Sequence, residues 1–211
     1  MSVGESELRV SGYVLAGGGS TRFGRDKALV ELGGLPMLGR MIALLQSVAN
    51  DVKVVGPPEK YAQFEREMVS DRWPGEGPLG GIITALEDAG KSAARTEWNA
   101  IVSCDMPFLT REWMEFLVGR ATISQARVVV PHSAHGPEPL CACWRTDAAE
   151  MLRTAFERGV RKVTEGIALL RSEVLDESAW KRFDSAGRLF WNMNTAADFE
   201  EARRVWETER A

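Results

Sequence analysis

Residues 13–27 read Tyr13-Val14-Leu15-Ala16-Gly17-Gly18-Gly19-Ser20-Thr21-Arg22-Phe23-Gly24-Arg25-Asp26-Lys27. The stretch opens as an apolar run of the length of a buried strand. It then breaks into glycines (Gly17, Gly18, Gly19, Gly24) interleaved with the cations Arg22, Arg25 and Lys27. A strand that empties into glycines and cations suits a polyphosphate. Glycine lets successive backbone N–H groups approach an anion with no Cβ in the way. Arg then neutralises phosphate charge with a planar fork and Lys as a point charge. Neither standard glycine motif fits. The dinucleotide pattern from Gly17 needs glycine where Arg22 stands, and the P-loop pattern from Gly19 needs Lys-Ser/Thr where Arg25-Asp26 stand. The alternative, a flexible turn with solvated charges, leaves the junction of strand, glycines and cations unexplained.

Outward from this stretch, strand and helix patterns alternate. Strands are predicted over 9–16, 52–55, 98–103, 127–131 and 140–144, with a short one at Val174-Leu175 and an extended piece over 28–32. Pro36 suits the first turn of a helix whose apolar face carries Met37, Met41, Ile42, Leu45 and Val48. Further helices are predicted over 59–69, 79–89, 147–157 and 160–170, and from the N-cap Thr110 to about Ala121. Thr195-x-x-Asp198 reads as a capping box opening a last helix with Phe199, Ala202, Val205 and Trp206 on one face. This alternation predicts an α/β fold, a mostly parallel sheet with helices on both faces. In such sheets ligands bind beyond the carboxyl ends of the strands, which brings the Gly-rich loop and Cys104-Asp105 to one edge.

With 211 residues, 45% hydrophobic and 27% charged, the chain fits one soluble domain. A net charge of −4 argues against a nucleic-acid or anionic-membrane surface, and no apolar run reaches membrane-spanning length. The N-terminus shows no export-signal pattern, and three cysteines, an odd count, suit a reduced cytoplasmic protein.

Asp105 ends an apolar strand and Pro107 stops regular structure after it, so its carboxylate can hold Mg²⁺ together with substrate phosphates; the other reading is a loop cap. Gly77-Pro78-Leu79-Gly80-Gly81 at a helix entrance suits close approach of a nucleotide, or a tight turn. Asp71 can accept from the N–H face of a nucleobase or be a solvated carboxylate. His132-x-x-His135 before Cys141-x-Cys143 invites zinc, although the spacing matches no standard cluster and free cysteines are often small buried hydrophobes. Asn192 and Asn194 can contact substrate or order a turn.

Taken together, Leu15-Ala16-Gly17-Gly18-x-Ser20-x-Arg22-Phe23-Gly24-x-Asp26-Lys27, Gly77-Pro78-Leu79-Gly80-Gly81 and Cys104-Asp105-Met106-Pro107-Phe108 resemble the molybdenum cofactor guanylyltransferases of the nucleotidyltransferase superfamily. Glu138-Pro139-Leu140 and Asn192-x-Asn194-Thr195 are weaker matches, in the family's order along about the whole chain. Phe23 stands where Met is common, and Gly56 where some relatives place a nucleotide-contacting Asn. The resemblance implies one Rossmann-like nucleotidyltransferase domain over 1–211, with a nucleotide-binding half at about 8–125 and an acceptor half at about 126–211. It implies Mg²⁺-dependent transfer of GMP from GTP to molybdenum-loaded molybdopterin, releasing pyrophosphate, and contacts with molybdoenzyme-maturation proteins. Lys27, Arg22 and Asp105 would be catalytic, with Asp105 the metal ligand. Leu15, Ala16, Gly17, Gly18, Lys27, Asp71, Pro78, Leu79 and Asp105 would bind nucleotide, and Glu138-Pro139-Leu140 with Asn192 and Asn194 would line the acceptor side. The rivals are a cytidylyltransferase of the same fold and a nucleotide-binding regulator without catalysis; the failed dinucleotide pattern disfavours a dehydrogenase.

Overall fold

A computed structural model describes residues 10–17, 26–92, 96–184 and 186–208. The chain begins with β1 (Val10–Leu15), a 3₁₀ turn (Lys27–Leu29), the small hairpin β2 (Glu31–Leu32) and β3 (Leu35–Pro36), and α1 (Met37–Gln46). Then come β4 (Asp51–Val55), α2 (Pro58–Tyr61), β5 (Glu67–Val69), α3 (Pro78–Lys91), β6 (Trp98–Ser103) and α4 (Arg111–Ile123). The later part holds β7 (Val128–Ser133), β8 (Gly136–Pro137), β9 (Cys141–Arg145), α5 (Ala149–Glu157), α6 (Val163–Ile167), β10 (Ser172–Leu175), α7 (Glu177–Trp180) and α8 (Ala196–Thr208).

The main sheet runs β10-β7-β9-β6-β1-β4-β5, with β8 paired to β7. β1, β4, β5 and β6 pair in parallel, as do β7 and β10, while β9 runs antiparallel to both β6 and β7. The reversed β9 therefore starts at the edge where its parallel neighbours end.

Period-two alternation builds two cores. Val10, Val14, Trp98, Ala100, Val102, Cys141 and Cys143 face the layer of α1, α4 and α8. Tyr13, Ile101, Val128, Val130, Ala142 and Trp144 face α3, α5 and α6. Both faces of the strands are buried, so at about 25 cal/mol per Å² this alternation is the main stabilising term.

Three expectations are corrected. The helix expected over 59–69 is α2, a 3₁₀ turn ended by Glu65 in the left-handed region (φ 51°), and then β5. Its last residues pair in parallel with β4, and Lys53 Nζ bonds Glu67 Oε1 at 2.7 Å across the pair, so strand pairing outweighs weak helical periodicity. The helix expected over 160–170 shrinks to α6: Gly159 (φ +100°) closes α5, and Lys162 is still extended. The extended piece at 28–32 is half 3₁₀ turn, because Asp26 Oδ1 accepts from Ala28 N at 3.1 Å.

Elsewhere the local signals hold. Thr110 Oγ1 accepts from Trp113 N at 3.2 Å and caps α4. Thr195 and Asp198 bond reciprocally, Asp198 N to Thr195 Oγ1 at 3.1 Å and Thr195 N to Asp198 Oδ2 at 2.8 Å. Between β2 and β3, Gly33 (φ +62°) lies under the indole of Trp206, whose Nε1 would be 2.1 Å from any Cβ placed there.

Gly56 follows β4, and a Cβ there would lie 2.1 Å from the backbone oxygen of Ala16. The close pass of β4's exit against the end of β1 thus leaves no room for a side chain. Gly56→Ala is expected to destabilise the fold by about 1–3 kcal/mol and lower Tm by several degrees. An unchanged melting curve would show that the two loops do not pack this closely.

Candidate active site

β1 and β6 are neighbours in register, Leu15 opposite Ser103. The chain leaving β1 toward Gly17 and the chain leaving β6 toward Asp105 therefore emerge side by side. Gly18 and Arg22 lie outside the described residues. Leu15 is half-buried, Ala16 is buried with its N–H bonded to Val55 O at 2.8 Å, and Gly17 is exposed at φ +124°.

Lys27 Nζ lies 3.6 Å from Asp105 Oδ2, with the two side chains 19% and 21% exposed. The same Nζ donates to Asn194 Oδ1 at 3.1 Å, across 167 residues of sequence. Asp105 is fixed from behind. Ser103 Oγ donates to its Oδ1, and its backbone oxygen accepts from Met193 N at 2.8 Å. That bond seats the 192–194 turn beside the carboxylate. The structure thus unites Lys27, Asp105 and Asn194, whereas Asn192 Nδ2 donates to Phe190 O at 3.2 Å and orders its own turn.

Asp26 anchors Lys27. Its Oδ1 starts the 3₁₀ turn that carries Lys27, and its Oδ2 accepts from Tyr61 Oη at 2.9 Å. Tyr61 is fully buried; burial first, then the bond to Asp26, push its hydroxyl pKa far up, so it stays a donor. Neither Tyr61 nor Ser103 is evident from the sequence. A Tyr just after the Gly56-Pro57-Pro58 break and a Ser two before Asp105 are the faint signals they leave. Cys104 is buried and its thiol is pushed well up by burial, with Asp105 and Asp26 adding to it, so it is no nucleophile.

Asp71 sits just past β5 and closes a turn: its Oδ1 accepts from Trp73 N at 3.0 Å and Thr84 Oγ1 at 3.3 Å. Gly77 (φ +96°) precedes the N-terminus of α3; Pro78 is exposed, while the Leu79 side chain is fully buried, leaving only its backbone for a ligand. Cys141 and Cys143 are buried in β9, Trp113 Nε1 donating to Cys141 Sγ at 3.3 Å, whereas His132 and His135 are exposed. The zinc reading therefore fails: these side chains do not converge. Among the described residues no group of three or more His, Cys, Asp or Glu could hold a metal. The Asp105 carboxylate at this strand end is a donor that fits Mg²⁺, commonly held by one or two carboxylates plus substrate phosphates.

Comparison with known proteins identifies the family. The model of the MobA-like NTP transferase domain matches residues 12–174. The molybdenum cofactor guanylyltransferase of Desulfosudis oleivorans is 31% identical over 203 residues, 95% of this chain and 98% of that protein. The crystal structure of molybdopterin-guanine dinucleotide biosynthesis protein A from Archaeoglobus fulgidus superposes with a TM-score of 0.80 at 26% identity, over 94% of this chain and 99% of that one. The family model spans both the strand that ends at the glycines and the one that ends at Asp105, and on that ground the chain belongs to the MobA-like NTP transferases, a family of nucleotidyltransferases.

Proposed function

We propose that this nucleotidyltransferase moves GMP from GTP to the terminal phosphate of molybdenum-loaded molybdopterin, releasing pyrophosphate, with Mg²⁺ as its metal. The observation that carries the reading is the convergence of Lys27, Asp105 and Asn194 at the mouth of the Gly-rich loop. The relatives' names support guanine and molybdopterin as the two substrates. Three buried free thiols, Cys104, Cys141 and Cys143, fit a reducing cytoplasm. Transfer of the product to molybdoenzyme-maturation proteins belongs to the same proposal.

An acceptor phosphate oxygen attacks the α-phosphorus of GTP while the bond to the β-phosphate bridging oxygen breaks, and pyrophosphate carries off the charge. A phosphate nucleophile is already ionised and needs no strong base, so the protein's task is alignment and charge stabilisation. The backbone from Leu15 to Gly17 would face the nucleotide. Lys27, with Arg22, would neutralise the α-phosphate and leaving group, and Asp105 would hold Mg²⁺. When bound, Mg²⁺ would supply Lewis-acid stabilisation of the phosphate charge. Asp71, with an oxygen beyond its turn bonds, and the Pro78-Leu79 helix entrance would address the guanosine.

Asp105→Ala is expected to lower turnover on the order of a thousandfold with the fold intact, as loss of several kcal/mol of metal stabilisation requires. Wild-type turnover at ordinary Mg²⁺ would remove Asp105 from the metal.

Lys27→Ala is expected to lower kcat more than it raises KM for GTP, since only contacts stronger in the transition state speed the chemistry. A normal kcat with only a raised KM would make Lys27 a binding residue.

The guanylyl assignment is tested by pyrophosphate release with GTP against CTP, with and without molybdopterin and Mg²⁺. A carboxylate matched to guanine's adjacent donors should favour GTP at least about tenfold to a hundredfold in kcat/KM, and Asp71→Asn should narrow the gap. Equal or better use of CTP would replace this reading with the cytidylyl one.

A further inference from the structure

Among the described residues Glu138 is the one buried acidic side chain, 8% exposed. It lies between β8 and β9. Its backbone is tied on both sides: Glu138 N donates to Pro131 O at 2.8 Å, and its carbonyl accepts from Cys141 N at 3.0 Å. Two residues on, Leu140 O accepts from Ser103 N at 3.0 Å, clamping this loop to the strand end that leads to Asp105.

The carboxyl is held but not completed. Ser133 Oγ donates to Oε1 at 2.6 Å, a closer acceptor than Gly136 O at 3.4 Å, and the same Oγ accepts from His135 N at 3.0 Å. The second oxygen, Oε2, has no hydrogen-bond partner among the described residues, yet it is not among the side-chain atoms sealed from solvent. Burial pushes this carboxyl above the usual carboxylate range, and the charge of Asp105 pushes the same way; Ser133, His135 and His132 pull it down. A buried carboxylate with neither an ion-pair partner nor a full set of donors is costly to keep.

An acceptor-only oxygen at this edge repels phosphate and calls for N–H donors. A ring N–H beside an exocyclic amino group, the edge of a 2-amino-4-oxopyrimidine, supplies two. Guanine and pterin share that edge, and sheet order separates them. Asp71 and the α3 entrance follow β5, beyond β4 and β1; Glu138 lies at the start of β9, on the far side of β6. Four strand spacings divide β5 from β9, roughly 19 Å. Lys27 and Asp105 stand between, at the exits of β1 and β6. One base cannot meet both carboxylates, and the side away from Asp71 is the acceptor's.

We propose that Glu138, positioned by Ser133, reads the donor edge of the acceptor's pterin ring and makes the enzyme selective for it. This rests on molybdopterin as the acceptor, so the test includes binding measured apart from turnover.

Glu138→Gln keeps an oxygen for Ser133 but turns Oε2 into a donor facing donors. The expected result is a fall of about tenfold to a hundredfold in kcat/KM for molybdopterin at saturating GTP, with KM for GTP and Tm unchanged. In titrations without turnover, wild type should bind 6-hydroxymethylpterin more tightly than pteridine-2,4-dione, which lacks the amino donor, and Glu138→Gln should erase that preference. Ser133→Ala should lose part of it. Pterin discrimination lost in the variant would uphold the assignment even if turnover with molybdopterin were absent, an outcome that would sink the transferase reading alone. Unchanged acceptor kinetics, a loss of GTP affinity instead, or wild type that does not distinguish the two pteridines would each overturn it. Should Glu138→Gln fail to fold, the wild-type comparison of the two pteridines decides.

Discussion

A cation and a carboxylate 3.6 Å apart, each about four-fifths covered, hold the working edge of this molecule together. Such a pair adds little to stability: partial burial costs hydration that the attraction roughly repays. Its value lies in what it demands of the rest. Asp105 reaches the pair only because β6 lies in register beside β1. Lys27 reaches it only because Asp26, bonded to buried Tyr61, folds the loop end into a 3₁₀ turn. Met193 N on the Asp105 carbonyl then brings Asn194 onto the same ammonium.

Charges elsewhere in the sheet behave differently. Asp88 accepts from Tyr13 Oη at 2.8 Å and from Lys53 Nζ at 3.0 Å, and Lys53 also meets Glu67 at 2.7 Å. That network is structural: Asp88 and Lys53 each meet two partners within it. Asp105 and Glu138 are each fixed through one oxygen by a serine two or five residues away, with the other oxygen turned to a cation or left open. A serine sets the carboxylate's direction without consuming its charge, which suits a group that must meet a ligand.

The sequence made the layers and the edge legible because both follow from short-range rules. Alternation in Val10–Leu15 and Trp98–Ser103 marks buried parallel strands, and the capping box at Thr195 marks the last helix. It also made legible which residues would meet at that edge, since Lys27 and Asp105 each follow a core strand. Contacts fixed only by three-dimensional pairing were illegible. β5 reads as a helix until β4 is beside it, and nothing local says that Tyr61 reaches Asp26 or that Ser133 reaches Glu138. The exclusion of a side chain at Gly56 is likewise a fact about Ala16, forty residues earlier.

The C-terminal helix grips the N-terminal loop at both ends, through Asn194 on Lys27 just before it and through Trp206 over Gly33 near its close. A chain emerging from the ribosome exposes its Gly-rich stretch long before that grip exists. At about 5–20 residues per second, the 167 residues between Lys27 and Asn194 take on the order of ten to thirty seconds to synthesise. Throughout that interval Lys27 lacks its bond to Asn194. Loss of α8 and the turn before it would be felt at the opposite end of the sequence, at Lys27 and Gly33.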